Sequence, residues 1–275
     1  MSVIDSPSVR RSVIAGTWYP GDPRQLRAML EGFLNEVPPQ PFEGRLVGLI
    51  SPHAGYIYSG QVAAFAYGQL RGKVFPKVVV VSPVHRMYTG EFATTDKAYY
   101  ETPLGLIPVD TESVAAVERQ VRLNHVSQDM EHSLEIQLPF LQHVLSSFAL
   151  TPIMMGDQEW DSAVRLGQAL AKAIGEQSAL LVASTDLSHF HRYEAAVRLD
   201  QVVLKHITAY DPEGLSHTLD AHGAEACGGG PVIAVMLAAQ ALGATRAVLL
   251  KYMNSGDVTG DHSSVVGYAA VALLA

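Results

Sequence analysis

A single cysteine stands among 275 residues, so the chain cannot form an internal disulfide. A reducing cytoplasm is the compartment this predicts. Positive charge is also scarce. Nineteen Lys and Arg stand against 27 Asp and Glu, a formal charge of −8. With no basic stripe or block, nucleic acid is excluded as an expected partner. Gly, Pro or a charge breaks every apolar stretch before it reaches membrane-spanning length, so no membrane partner is expected. The opening MSVIDSPSVRRSVIAG lacks the apolar core of a signal peptide. Neither GxGxxG nor the P-loop pattern occurs, and no GxSxG elbow marks a serine hydrolase.

Apolar residues are abundant, at 48% of the chain, enough for a substantial core. Three strand-like runs each lead into a small turn carrying histidine. Arg45–Ser51 leads to His53, Lys77–Ser82 to His85, and Ala179–Thr185 to Asp186 and His189. Runs that are apolar throughout read as strands covered on both faces. In open α/β sheets, ligands bind outside the carboxyl ends of the strands. Parallel neighbours would therefore bring these four residues to one sheet edge, where two imidazoles suit a transition metal. Taken singly, each histidine could equally satisfy a turn.

Along the chain, strands alternate with helical segments at 59–70, 112–121, 133–145, 161–174, 193–210, 211–220 and 227–242. The 91–109 stretch reads as a hairpin excursion. Pro139 is expected to kink its helix, and Asp161 to open its helix with a good cap. The Pro-rich VPPQPF at 37–42 reads as a short connection, and 255–262 as a glycine-punctuated loop. These signs predict one α/β domain over residues 1–275, with a central, largely parallel sheet and helices on both faces.

Further residues add chemistry. In PHAGYIYSG (52–60), Tyr56 and Tyr58 either line a pocket beside His53 or pack in the core. In STDLSHFH (184–191), Asp186 and His189 share a face if a helical turn begins there, and the carboxylate would then orient the imidazole. Cys227 precedes a glycine run and a helix, a position that favours thiolate. The glycines would let a ligand approach the backbone. The alternative is an inert thiol beside packing glycines. Glu131, His132 and Glu135 either cap the following helix, or His132 enters the site.

The ordered motifs GTWYPGD (16–22), PHAGYIYSG (52–60), SPVH (82–85), ETPLG (101–105), EHSLEIQLPFL (131–141), STDLSH (184–189), the 227–230 segment and SGDVTGDHSSVVGYAA (255–270) resemble the Memo family nearly end to end. Its bacterial and archaeal members are called AmmeMemoRadiSam system protein B. The resemblance implies a fold similar to class III extradiol dioxygenases, which are non-haem Fe(II) enzymes. It implies metal ligation by His53, His85 and Cys227, and an acid–base role for His189 with Asp186 beside it. Where the dioxygenases use a carboxylate, this set has a thiolate, which keeps Cu and Zn open beside Fe(II). Many relatives carry His where this chain has Arg86. Animal members carry bulky basic residues where it has Gly228 and Gly229.

These readings predict a cytoplasmic oxidoreductase that binds one transition metal, Fe(II) first, and a small oxygenated substrate. Tyr56, Tyr58 and His132 are the expected substrate contacts. Two alternatives come from the resemblance. One is a phosphopeptide-binding module, for which the motif loops offer only Arg86. The other is an accessory role beside the partner proteins of the AmmeMemoRadiSam system.

Overall fold

The computed structural model describes residues 8–39, 43–175 and 178–275. The second half of the Pro-rich connection, residues 40–42, and most of the N-terminal segment lie outside the described residues. The strands in chain order are β1 (Val9–Arg10), β2 (Leu46–Ser51), β3 (Lys77–Pro83), β4 (Phe92–Thr95), β5 (Tyr99–Thr102), β6 (Gly105–Pro108), β7 (Asn124–Val126), β8 (Ala149–Met155), β9 (Ala179–Ser184), β10 (His189–His191), β11 (Arg246–Asn254) and β12 (Val265–Leu274). The helices are α1 (Pro23–Asn35), α2 (Tyr56–Tyr67), α3 (Thr111–Glu118), α4 (Leu138–Val144), α5 (Trp160–Ile174), α6 (Tyr193–Thr208), α7 (Pro212–Asp220), α8 (Gly229–Ala241) and the short α9 (Ser255–Thr259).

A nine-stranded sheet runs in the order β10-β12-β2-β9-β3-β8-β4-β7, with β11 paired to β12. The central four, β2, β9, β3 and β8, are parallel neighbours. The flanking pairs β2–β12, β11–β12, β10–β12 and β4–β8 are antiparallel, so the sheet is mixed around a parallel centre. Period-two alternation explains why these strands are apolar throughout. Val78 and Val80 of β3 join one hydrophobic cluster, while Val79 and Val81 join the cluster on the other face. Helices α1, α2 and α4 pack on the first face through Leu26, Val62 and Phe140. Helices α5, α6 and α8 cover the second through Leu166, Val203 and Ile233.

Local sequence accounts for the helices. In α1, Leu26, Leu30 and Leu34 recur every four residues and form one buried stripe. Asp22 caps it, accepting from Arg24 N and Gln25 N, with Pro23 in the first turn. Helices α2 and α8 are apolar nearly all round and lie buried beside the sheet.

Several local expectations need correction. Residues 91–109 do not form a simple excursion. Strand β4 joins the main sheet, and only β5 and β6 make the hairpin, extended by β1 into a three-stranded sheet. Pro139 does not kink a long helix. It sits in the first turn of α4, after a separate 3-10 turn at Glu135–Gln137, where a missing N–H costs nothing. Asp161 lies inside α5, and Glu159, at the capping position, makes no side-chain cap bond. The 255–262 loop opens with α9, closed by a capping box between Asn254 and Asp257.

Candidate metal centre

The parallel centre of the sheet places the carboxyl ends of β2, β9 and β3 side by side. The turns that follow carry His53, Asp186 and His85. From the carboxyl end of β8, Gln158 reaches the fourth segment: its Nε2 donates to Cys227 O at 2.9 Å, and its Oε1 accepts from Gly230 N at 3.0 Å. Gly228 lets this segment close over β9, since a Cβ there would fall 2.2 Å from Ser184 O. At Gly228 this close approach is to protein backbone.

One ligand atom each from His53, His85 and Cys227 gathers within 4.8 Å. His85, Glu131 and His132 form a second such group, sharing His85. The three imidazoles cluster closely. Ring centroids are 5.1 Å apart for His53–His85, 5.5 Å for His53–His132 and 4.9 Å for His85–His132. Cys227 Sγ lies 3.1 Å from His53 Nε2.

Hydrogen bonds fix the His53 tautomer. Ser184 Oγ donates to Ser133 O at 2.6 Å, which uses its only hydrogen. It must therefore accept from His53 Nδ1, 3.0 Å away, and from Gln137 Nε2, 2.8 Å away. That leaves the His53 Nε2 lone pair facing the thiol. On the second loop, Glu131 accepts from the backbone N–H groups of His85 and Arg86. Its Oε2 is buried without a hydrogen-bond partner and lies 3.6 Å from His85 Nδ1. Burial alone would raise the Glu131 carboxyl. The nearby His85 imidazole and the two backbone N–H groups instead hold it below its ordinary range. Glu131 is in turn tied to the N-terminal strand, because Arg10 Nη2 donates to Glu131 O at 2.8 Å. Arg10 also pairs with Asp129 and Glu135. None of Glu131, His132 and Glu135 caps a helix: the two carboxylates bind across the fold, and the His132 ring lies against those of Trp18, His53 and His85.

The expected Asp186–His189 pair does not form by a shared helical face. His189 begins β10, opposite Val266, and Phe190 follows with φ of +64°. Asp186 instead accepts from His53 N at 2.7 Å, and its own N–H donates to Cys227 Sγ at 3.3 Å. It pins two of the gathered loops together. His189 Nδ1 lies 2.8 Å from Leu187 O, so Nδ1 carries the hydrogen and Nε2 is left with its lone pair. His191 turns aside to Glu225, with Nε2 and Oε1 2.8 Å apart.

A cavity of about 660 Å³ opens onto this cluster, and His53, His85, His132, Asp186 and His189 line it. Tyr58 lines it as well. Tyr56 does not: it is buried, and its hydroxyl donates to Ile136 O at 2.7 Å. Its expected substrate contact is corrected to a core position. Sequence reasoning missed Trp18, another lining residue, whose ring lies 4.2 Å from that of His132. Among the site residues weighed singly, Glu131 had appeared as a helix cap; Ser184 had appeared as the start of the 184–191 motif and not as a holder of His53, and Gln158 not at all.

Burial shapes the protonation states. It lowers His53 well below the ordinary imidazole range, with His85 and His189 adding to the effect. Burial also takes His132 down to about 3, helped by His53 and His85. It raises Asp186 to about 6. The Cys227 thiol is raised too, by burial first and Asp186 second. The thiolate expected from a helix terminus is thus overturned for the metal-free protein. Cys227 precedes α8 by two residues and is enclosed, so desolvation outweighs the dipole.

A pH dependence of stability follows. Unfolded imidazoles protonate near 6.5, while folded His53 and His132 do so far lower. Below about pH 6.5 the unfolded state therefore binds more protons, and stability falls with pH. Asp186 opposes this between roughly pH 4 and 6, where the folded state holds its proton more tightly. Two imidazoles outweigh one carboxyl. The metal-free protein should lose up to about 1.4 kcal/mol per pH unit for each uncompensated imidazole. Urea midpoints between about pH 7 and 5 measure the slope. His132→Asn should flatten it, and an unchanged slope would contradict the assignment.

Comparison with known proteins agrees with this architecture. A family model described as Memo-like protein matches residues 10–272. A MEMO1 family protein of Methanothermobacter thermautotrophicus is 39% identical over 273 residues, covering 95% of this chain and 99% of its own. A MEMO1 family protein of Ignicoccus hospitalis is 38% identical over 279 residues, covering 96% and 98%. Among solved structures, an uncharacterized protein of Escherichia coli K12 superposes with a TM-score of 0.58 over 83% of this chain and all of its own. At 15% identity that likeness concerns the fold alone. A motif series and a family model that both run nearly end to end, with relatives matching over almost their full length, lead to one conclusion: the chain belongs to the Memo family.

Proposed function

We propose that the protein is a metal-dependent redox enzyme, of non-haem Fe(II) dioxygenase-like type, acting on a small oxygenated substrate. The observation that carries this reading is the convergence of His53, His85 and Cys227 within 4.8 Å, beside a cavity that His53, His85 and His189 line. The donor set fits a transition metal. His53 presents a lone pair fixed by Ser184, and the thiol beside it is a soft donor. Two imidazoles and one thiolate suit Fe(II), Cu or Zn. When bound there, Fe(II) would supply open positions for a substrate oxygen and a second small ligand, together with redox chemistry.

The chain's own residues supply the rest. Cys227 gives up its proton as a ligand, so metal affinity should fall on acidification. His189 Nε2 takes the proton of a substrate hydroxyl, while its Nδ1–H stays on Leu187 O. Asp186 keeps the His53 and Cys227 loops in register. The phosphopeptide alternative finds no support in the lining: no Lys or Arg lines the cavity among the described residues, and Arg86 is not part of it.

Spectroscopy tests the reading. Protein loaded anaerobically with Fe(II) should bind nitric oxide and catechols, with changes in its EPR and visible spectra. A protein that binds neither probe has no free positions at the metal, and the dioxygenase-like reading fails.

A further inference from the structure

The cavity walls carry a chemical preference. Trp18, Ile57, Tyr58, Phe190, Val266 and Tyr268 give it an apolar and aromatic lining, sized for one small aromatic ligand. The formally charged side chains on the lining are two carboxylates, Asp186 and Asp261; no Lys or Arg joins them among the described residues. Asp186 is buried and its Oδ1 is committed to His53 N. Asp261, on the loop between α9 and β12, is exposed and makes no ion pair with Lys or Arg among the described residues. Its Oδ1 accepts from Ser263 N at 2.9 Å and Ser263 Oγ at 2.7 Å, leaving Oδ2 for a ligand. Those two bonds hold Asp261 below the ordinary carboxylate range, so it is charged at neutral pH.

Two further features point to a ligand. Phe190 holds a backbone φ of +64° while its ring stays 75% exposed on the cavity lining. A bulky residue held in that region is strained, and its ring meets that of His189 edge-on, with centroids 5.6 Å apart. Its ring and that of the half-exposed Tyr58 offer π faces of the kind that attract ammonium groups. At the inner end, beside His53 and His85, His132 lines the cavity; its Nδ1 is shut off from solvent, so Nε2 is the ring nitrogen open to a substrate hydroxyl.

We propose that the cavity selects a phenolic substrate bearing a protonated amino group, held by Asp261 and the rim aromatics, and rejects the matching carboxylate. This rests on the small-molecule reading of the site given above. It extends that reading from reaction type to substrate class.

The test uses three redox-quiet phenols, so that binding is read without turnover. Tyramine carries an ammonium, 4-hydroxyphenylacetate a carboxylate, and 4-ethylphenol no charge. Binding to the full-length, metal-loaded protein is followed without oxygen by ligand-observed NMR. An exposed ionic contact is worth up to about fivefold in affinity. Repulsion of the anion adds to it, so tyramine should bind about tenfold more tightly than 4-hydroxyphenylacetate, with 4-ethylphenol between. Asp261→Asn should shrink the ratio to within about twofold, and Asp261→Lys should invert it. Both lie on an exposed loop, and a CD spectrum checks that each variant is folded. The proposal is overturned if the carboxylate binds wild type as well as the amine, if Asp261→Asn leaves the ratio unchanged, or if none of the phenols binds. An intact amine preference without oxygen uptake on any amine-bearing diol would sink the redox reading alone.

Discussion

Replacing His53 and His85 together by alanine is expected to abolish metal binding. The double variant, loaded with Fe(II) or Zn(II) and desalted, should contain only background metal by elemental analysis. The physical ground is the shape of the site. The His53 lone pair at Nε2 points at the thiol because Ser184 holds Nδ1, and the shared His85 closes the donor set. Changes to the partners that orient ligands cost about 10–100-fold in affinity, so loss of two ligands should exceed that. Cys227→Ser should weaken binding as well, since a hydroxyl is a poorer ligand than thiolate for these metals. His143→Ala is the control. That imidazole lies on α4, with its Nε2 2.9 Å from Glu31 Oε2, and should leave the metal content unchanged. A double variant that still holds one equivalent would remove these residues from the centre.

The fold was largely legible because its strongest signals are local. A valine run such as 78–81 that is buried on both faces can only be an interior strand, and a histidine just past it falls at the carboxyl edge. Boundaries and turns were less legible. Pro139 marks a helix start as readily as a kink, and only the packing of the 3-10 turn before it decides between them. The mixed edges of the sheet were missed for a related reason. The apolar pattern of β12 is the same whether it pairs parallel or antiparallel to β2, and its direction is set by the connection through α9.

Within the site, the residues on strand-end turns could be named from sequence, while those holding them could not. Glu131 contacts the His85 loop across 46 positions, and Gln158 contacts Cys227 across 69. Such polar contacts leave no periodic trace. Gln158 did carry a faint signal, since it follows β8 as the histidines follow their strands. Tyr56 and Tyr58 stand two apart at the start of α2, so their side chains diverge by roughly 200° around the axis. One had to face the core and the other the cavity, but the sequence does not say which. The thiol's protonation was misjudged because helix position is visible in a sequence and enclosure is not.

His189→Ala is expected to keep the metal and lose at least about 10²-fold in rate on any diol that the Fe(II)-loaded protein turns over, the usual contribution of a positioned acid–base group. His189 does not belong to the gathered donor set, so elemental analysis should match wild type. Its Nδ1–H is engaged by Leu187 O, which fixes the ring and leaves Nε2 free to take a proton. The loss should therefore fall on kcat rather than on KM, and the ionisation that the imidazole contributes should vanish from the pH–rate profile. Asp186 is expected to behave differently. It contacts the His53 and Cys227 loops rather than the His189 ring through its hydrogen bonds. Asp186→Ala should thus lower metal retention, with the rate falling in proportion to the metal lost. If instead Asp186→Ala kept its metal and lost the same ionisation as His189→Ala, the two residues would act as one acid–base pair, and the assignment of Asp186 to the metal loops would be wrong.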